Sequence, residues 1–345
     1  AGNVATLNRV ILPVIRRVMP TVIANELVGV QPMTGPVGQI HTLRVRYSDT
    51  MNDTSAGNTD TTAGEEALSP FKIAEAYSGD AATAKAASTA ALEGAAGRKM
   101  SIQILKQTVE AKTRKLSARW TFEAAQDAQS MHGIDVEAEI MAALAQEITA
   151  EIDQEVIGSL VTLSGTAAQT YDQAAVSGTA TFVGDEHAAL AVQINRVSNL
   201  IAQRTRRGAG NWAVVSPFAL TILQSATTSA FARTTEGTFE APTNTKMVGT
   251  LNNAMKVYVN TYAADDAPVL IGYKGASESD AAAFYCPYIP LMSSGVVLDP
   301  GTFEPTVSFM TRYGYVELNN TASSLGNAAD YLGNVAITNG NVSFS

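Results

Sequence analysis

One run of apolar residues at strict four-residue spacing sets the tightest limit on how this chain can fold. Four residues turn an α-helix by about 400°, so each step moves the stripe about 40° around the axis. We therefore predict a helix over 135–163, capped by Asp135 and roughly 40 Å long. Its winding stripe cannot lie on one flat core, so the helix must contact different neighbours along its length. The stripe consists of Val136, Ile140, Leu144, Ile148, Ile152, Val156 and Leu160.

Charge is sharply divided between this helix and the segment before it. Seven basic residues and one acid lie within 98–119, whereas nine acids and no Lys or Arg lie within 121–163. Our hypothesis is that a basic arm of one subunit covers the acidic helix of a neighbour, which would set register and partner choice. The alternative is an acidic helix face exposed to solvent. The residues assigned to these contacts are Arg98, Lys99, Lys106, Lys112, Arg114, Lys115 and Arg119 on the basic side and Glu137, Glu139, Glu147, Glu151, Asp153 and Glu155 on the acidic side.

The stretch 48–99 differs from its surroundings because Ala, Thr, Ser, Gly and Asp dominate it. Strand-like runs flank it on both sides, an alternating one over 41–47 and a long one over 100–120. We predict a two-stranded arm that carries an exposed, weakly ordered excursion at its tip. A compact domain rarely contains a structureless loop of this length, so the excursion is either functional or a separate lobe.

An inert stretch, GVQPMTGPVGQI at 29–40, joins the arm to the N-terminal segment. Residues 4–28 are predicted to form short helical pieces, because prolines interrupt their apolar face. Pro32 and Pro36 fix an extended backbone, and three glycines permit sharp turns or close backbone approach. We interpret the stretch as an elbow that sets the angle between the two arms. In the N-terminal segment, Arg16 and Arg17 are further candidates for contacts with an acidic helix.

The second half of the chain mixes helices and strands without a βαβ rhythm. A helix is predicted from Asp185 to about Arg207, closed by Gly208, with a buried face that includes Ile194 and Val197. The strand in NWAVVSP leads into a short helix at Pro217. Further strands are predicted for KVYVNTY, PVLIGYKG, AAFYCPYIPL and TVSFMTRYGYVEL. The fold class is therefore α+β, and a doubly wound parallel sheet is not expected.

Composition and motifs narrow the function of the 345 residues. A net charge of −9 disfavours general electrostatic binding of nucleic acid. Charged residues make up only 16%, which indicates either a surface covered by partners or one rich in uncharged polar residues. We find no catalytic, cofactor-binding or metal motif, and Cys286 lies in an apolar run that favours an inert buried thiol. No apolar run reaches the roughly 20 residues of a membrane span.

Five blocks, in order, carry a resemblance to a known family: RRVMPTVIANELVGVQPMTGPVGQIHTLRVRY, VEAKTRKLSARWTFEAAQDAQSMHGIDVEAEI, GYKG, FYCPYIPL and FMTRYG. Together they span the chain from Arg16 to Gly314. They resemble the mature major capsid proteins of T-even-like tailed bacteriophages. The chain departs from that family over 48–99 and 160–185.

The resemblance implies the Hong Kong 97-type (HK97-like) capsid fold. It implies an N-terminal arm over 1–40, a long hairpin arm (the E-loop) over 41–119 with its tip at 48–99, and a peripheral domain with a spine helix over 120–185. An axial domain follows over 186–285, and 286–345 return to the peripheral domain. The chain begins with Ala1, which fits either a shortened sequence or the cleavage by a prohead protease that the resemblance implies.

The function expected from this resemblance is structural. Copies of the chain would form hexameric capsomers of an icosahedral head that encloses double-stranded DNA without sequence-specific binding. Expected partners are further copies, vertex and portal proteins and possible decoration proteins, with no membrane. The expected location is the virion shell, assembled in the host bacterial cytoplasm. The alternatives are the pentameric vertex protein of the same family and a nanocompartment shell of related fold.

Overall fold

The computed structural model describes residues 23–52, 60–67, 76–172, 183–225, 231–233, 247–251, 254–318 and 328–338. Arg16, Arg17 and the apolar face predicted before Ile23 lie outside the described residues. The helices are α1 (Ala24–Leu27), α2 (Thr89–Leu92), α3 (Phe122–His132), α4 (Val136–Ser164), α5 (Val183–Thr205) and α6 (Pro217–Ser225), with a 3-10 turn at Ala328–Tyr331. The strands are β1 (Gly29–Val30), β2 (Val37–Tyr47), β3 (Met100–Glu110), β4 (Lys112–Arg119), β5 (Gln169–Asp172), β6 (Trp212–Val215), β7 (Phe231–Arg233), β8 (Met247–Leu251), β9 (Met255–Val259), β10 (Val269–Gly272), β11 (Ala283–Ser293), β12 (Val297–Leu298), β13 (Pro305–Glu317) and β14 (Leu332–Thr338).

The long helix α4 confirms the prediction from the apolar stripe. The carboxylate of Asp135 caps its first turn by accepting a hydrogen bond from the Glu137 backbone N–H at 3.1 Å. In the first half of the stripe, Leu144 and Ile148 pack in one cluster with Val307 and Phe309 of β13. Farther along, the stripe enters a second cluster, which contains Val156, Leu160, Ile23, Leu27, Trp212 and Leu270. The winding stripe thus contacts two different cores.

Seven strands form the larger sheet, in the order β5-β14-β10-β6-β9-β8-β7. Helix α5 covers it with the buried side chains of Ala191, Ile194, Val197 and Ile201, as the sequence predicts. The helix begins at Val183 and ends at Thr205, however, not at Asp185 and Arg207. Arg206 takes the left-handed backbone conformation that ends it, at φ 52°, in place of the expected Gly208.

The smaller sheet is built on β11 and β13, which pair antiparallel. Strand β4 pairs along the other edge of β13, from Arg119 opposite Thr306 to Lys112 opposite Tyr313. The single long strand predicted over 100–120 is wrong, because the chain changes partner at Ala111. There the Ala111 N–H donates to the Pro36 carbonyl at 2.9 Å, so β3 and β4 belong to different sheets.

Among the described residues, strands β2 and β3 form a separate two-stranded sheet, from Val37 opposite Glu110 to Tyr47 opposite Met100. This pair is the predicted two-stranded arm. The described part of the excursion is more ordered than expected, because Tyr47, Met51 and Tyr77 bury one another in a small core. The Arg44 guanidinium, also buried, bonds to the Glu66 carboxylate at 2.7 Å. Aromatic contacts of this kind join residues far apart in sequence, so composition alone did not reveal them.

The larger sheet is not built from one continuous segment of the chain. Strands β5 and β14 lie before and after the central region in sequence, yet they pair with each other and extend the seven-stranded sheet through β10. Helix α4 bridges the sheets, because its second core contains Trp212 of β6 and Ala283 of β11. Sheet membership therefore alternates along the chain after α4.

Candidate assembly surfaces

A polar cluster joins β4 to α4. The Arg114 guanidinium bonds to Glu151 at 2.9 Å and to Glu155 at 2.6 Å, and its Nε donates to the Tyr313 hydroxyl at 2.8 Å. The Tyr313 hydroxyl in turn donates to the Glu155 carboxylate. Burial tends to raise the pKa of Glu155, but the hydrogen bonds from Tyr313 and Arg114 outweigh it and lower that pKa. Burial and the bond to Glu155 raise the pKa of Tyr313 to about 12.

From the sequence, we assign Arg114, Glu151 and Glu155 to contacts between subunits. The three residues pair within one chain. The reason is the packing of β4, whose inward side chains Leu116 and Ala118 join the α4 core and so place Arg114 over the helix. A sequence with separated basic and acidic blocks does not reveal whether the blocks meet within a chain or between chains.

Asp153 also differs from its predicted role as a surface carboxylate. Its side chain is only 1% exposed. One carboxylate oxygen accepts hydrogen bonds from the backbone N–H groups of Ile23 at 2.9 Å and Ala24 at 2.6 Å. Asp153 therefore fixes the start of α1 on α4, a role that depends on a distant part of the chain and gives no signal in the spacing of the stripe.

The other basic residues fall into two groups. Arg98 donates to the carbonyls of Ala76 and Tyr77 at 3.1 and 2.9 Å. Its guanidinium therefore fixes the backbone of the excursion within the chain. Arg119 lies 3.6 Å from Glu304 of the same chain and stays largely exposed. The exposed remainder is Lys99, Lys106, Lys112 and Lys115. On α4, Glu137 and Glu147 are exposed and Glu139 is half-buried.

The joint before β2 is attached to the smaller sheet. Strand β1 runs parallel to β11, and the N–H groups of Gln31 and Met33 continue the ladder to the carbonyls of Tyr285 and Pro287 at 3.0 and 2.9 Å. Pro32 lies between these two donors, at a position that needs no N–H toward β11. Only glycine fits at position 29, because a Cβ there would lie 2.3 Å from the Glu278 carbonyl oxygen.

One face of the arm is apolar and exposed. Leu43 and Ile104 lie directly opposite each other in the ladder, with Ile102 opposite the adjacent same-face residue Val45. The side chains of Leu43, Ile102 and Ile104 are 65%, 68% and 67% exposed. Monomeric proteins rarely leave such a cluster in water, so the face is suited to contact with a partner.

A second exposed apolar group lies at the turn between β12 and β13, and sequence reasoning missed it. Phe303 takes a left-handed backbone conformation at φ 56°, is 69% exposed, and lies 5.3 Å from the Phe122 ring. The Asp299 side chain accepts from the Gly301 N–H at 3.0 Å and so shapes the turn. The Asp-Pro-Gly sequence signals that turn, but it gives no sign of an exposed aromatic ring. The exposed neighbours are Val296, Val297 and Leu298.

Side chains that could act in catalysis or bind a metal ion are dispersed among the described residues. These residues contain no cluster of three or more His, Cys, Asp and Glu side chains that could hold a metal ion. Cys286 is buried as predicted, and burial raises the pKa of its thiol, which disfavours the reactive thiolate. Among the same residues, no helix is long and apolar enough to span a membrane.

Comparison with known proteins identifies the family. A family model described as major capsid protein Gp23 matches residues 4–337. The major capsid protein of Enterobacteria phage T4 is 30% identical, and the match covers 94% of this chain and 77% of that protein. Among solved structures, a chain of Mycobacterium phage Bobi matches with a TM-score of 0.58 at 13% identity, covering 97% of each chain. The capsid of Myoviridae Phage XM1 matches with a TM-score of 0.52 at 10% identity, covering 96% of this chain and 100% of the other.

The structural matches share the mixed helix-and-sheet architecture described above, and the family model spans nearly the whole chain. The protein therefore has the HK97-like capsid fold and belongs to the Gp23 major capsid protein family of tailed bacteriophages.

Proposed function

We propose that copies of this chain assemble into hexameric capsomers of an icosahedral phage head. The observation that carries the proposal, beside family membership, is the two-stranded arm with its exposed apolar face. Strands β2 and β3 have no other strand partner in the described residues, and the side chains of Leu43, Ile102 and Ile104 are exposed on their apolar face, which is therefore available to a second copy. Burying Leu43, Ile102 and Ile104 against a neighbour would contribute about 1.5–3 kcal/mol per side chain.

Electrostatic contacts between subunits remain part of the proposal for exposed charged residues of the arm, β4 and α4. Lys106, Lys112 and Lys115 are exposed on the arm and on β4, and Glu137 and Glu147 are exposed on α4. Pairs between these groups would be solvent-accessible, so we assign them to register and partner choice rather than to affinity. Arg16 and Arg17 would add basic charge from the N-terminal segment.

The domain assignment is likewise a proposal. We infer an N-terminal arm over 1–40, an E-loop over 41–119, a peripheral domain with α4 as its spine over 120–185, an axial domain over 186–285 and a return over 286–345. The pairing of β5 with β14 supports a modified boundary, in which these two strands are grouped with the axial sheet.

In this proposal the protein acts by assembly and not by catalysis. The shell would enclose double-stranded DNA, and the negative balance of the chain would keep the DNA from adhering to the wall. Vertex, portal and possible decoration proteins would complete the virion shell, assembled in the host bacterial cytoplasm.

The arm face offers the direct test. Leu43→Ser combined with Ile104→Ser should leave the subunit folded, because both side chains are already in water, but it should abolish shells. Circular dichroism and electron microscopy of the same preparation measure both properties. Val192→Ser is the matched control, because Val192 is also 68% exposed but lies on α5. Wild-type shell yield from the double variant would contradict the proposed role of the arm.

Particle composition separates this function from its rivals. Hexamer-forming subunits should be the most abundant protein of the particle, whereas a vertex protein would be present in a few dozen copies and a nanocompartment would contain enzymes instead of a genome. Quantitative mass spectrometry and nuclease-protected DNA measure these outcomes. Low copy number or a protein cargo would contradict the hexamer assignment.

A further inference from the structure

Within the part of the chain that the structure describes, a groove of ≈ 210 Å³ lies between α4, α1 and β11. Ile148 and Ile152 of α4 form one wall, and Ile289, Pro290 and Leu291 of β11 form the other. The volume is below the roughly 300–1,000 Å³ of typical small-molecule sites. A lining of this composition is suited to a few apolar side chains of a polypeptide segment.

The groove lies where the described chain begins. Ala24 and Asn25 form part of its lining. Immediately before them, the buried Asp153 carboxylate holds the N–H groups of Ile23 and Ala24, so the chain enters α1 at a fixed point on the groove. Any side chain a few residues before Ile23 is therefore tethered within reach of the groove, which gives it a high effective concentration there.

The sequence of that tethered segment complements the groove. Residues 1–22 contain apolar side chains at helical spacing, including Val14, Ile15 and Val18. They also carry three bases and no acid, whereas α4 carries acids and no Lys or Arg. Apolar groups would enter the groove while the opposite charges of the two segments attract each other.

We propose that the groove between α4, α1 and β11 binds residues 14–22 of the same chain. The N-terminal segment is thereby docked on its own spine helix before any contact with another subunit. This docking is independent of the proposed shell function, because it concerns the isolated subunit.

Disulfide trapping on the soluble full-length subunit tests the proposal. Thr149 lies in the groove and is exposed, so Thr149→Cys is combined in turn with Ile15→Cys and Val18→Cys. A disulfide forms only when the two Cα atoms come within about 7 Å. The native Cys286 is buried and does not compete. In the matched control, Ala143→Cys replaces Thr149→Cys, because Ala143 is exposed on the same helix but lies outside the groove.

We expect an intrachain disulfide with Cys at 149 and none with Cys at 143, detected by mass spectrometry of linked peptides. Mixing the subunit with a tagged copy distinguishes linkage within a chain from linkage between chains. Tagged–untagged dimers would show that the occupant is a second copy and would overturn the proposal. Equal linkage at both positions, or none at 149, would overturn it as well.

Trypsin cleavage after Arg16 and Arg17 provides an independent measurement. Leu291→Asp places a charge in the groove and should raise the cleavage rate on the order of tenfold, because the segment would be released. Leu298→Asp is the control, since Leu298 is similarly exposed but lies outside the groove. Equal rates in wild type and Leu291→Asp would contradict docking in the groove.

Discussion

Arg114 bonds to three acceptors at once, each through a different guanidinium nitrogen. Its planar fork suits this task, and a lysine ammonium on a flexible stem does not reproduce it. The guanidinium is about one-third exposed, so the cluster acts in a partly solvated setting. The cluster fixes β4 on α4 and thereby sets where the chain leaves the arm to enter the sheet.

Arg114→Lys should lower the free energy of unfolding by about 1 kcal/mol, because only part of the cluster can be rebuilt. Urea unfolding of the soluble subunit measures the change. Lys115→Arg is the control and should be neutral, because Lys115 is exposed on the same strand. Equal stability of Arg114→Lys and wild type would show that the cluster contributes nothing measurable.

The cluster also predicts a pH dependence. The pKa of Glu155 in the folded protein lies below its ordinary value of 4.5, because the bonds from Tyr313 and Arg114 outweigh burial. The stabilisation is therefore fully present above the ordinary pKa and is lost as pH falls through the lowered one. The stability difference between wild type and Glu155→Gln should shrink from about pH 7 to about pH 3. A difference that is constant over this range would contradict the assignment.

At the scale of elements, the sequence predicts those helix and strand boundaries that neighbouring residues determine. Helix α4 begins at the expected cap because Asp135 precedes an uninterrupted apolar stripe, and β6 leads into α6 at Pro217 as expected. The break of the strand at Ala111 was not predictable, since residues 100–120 are uniformly strand-like and only the distant partners differ. For the same reason the pairing of Arg114 within the chain and the burial of Asp153 could not be read from spacing.

The joint at 29–36 yields a prediction for the element that leads into the arm. Pro32→Ala combined with Pro36→Ala should leave a folded subunit that assembles poorly, because each change frees the backbone and costs about 0.4–1 kcal/mol. Thermal unfolding and shell yield by electron microscopy measure the two effects. Pro268→Ala is the control for loss of a proline away from the joint. Normal shell yield from the double variant would show that the stiffness of the joint is dispensable.

On the scale of the whole molecule, α4 packs against both of the larger sheets and so couples their stability. Its second core contains residues of both sheets, including Trp212 and Ala283. The first core contains Trp120 beside Val307 and Phe309 of the smaller sheet. The two tryptophans of the chain therefore report on different cores.

We expect a single unfolding transition for the subunit, because neither sheet can lose its core without exposing that of the other. In Trp120→Phe, the fluorescence of Trp212 should change at the same denaturant concentration as the far-ultraviolet circular dichroism. In Trp212→Phe, the fluorescence of Trp120 should likewise change at the same denaturant concentration as the far-ultraviolet circular dichroism. Separate midpoints within one variant would show that the sheets unfold independently.

The ladder between the joint and β11 has a consequence for chain length. Residues 31 and 33 donate to β11 and Pro32 does not, so donors occupy alternate positions. Inserting one residue between Val30 and Pro32 would move the proline to a position that must donate to β11, whereas an insertion of two residues keeps it at a position that does not. Length variation in this part of the joint is therefore subject to parity: even steps preserve the ladder to β11, and odd steps lose one of its hydrogen bonds.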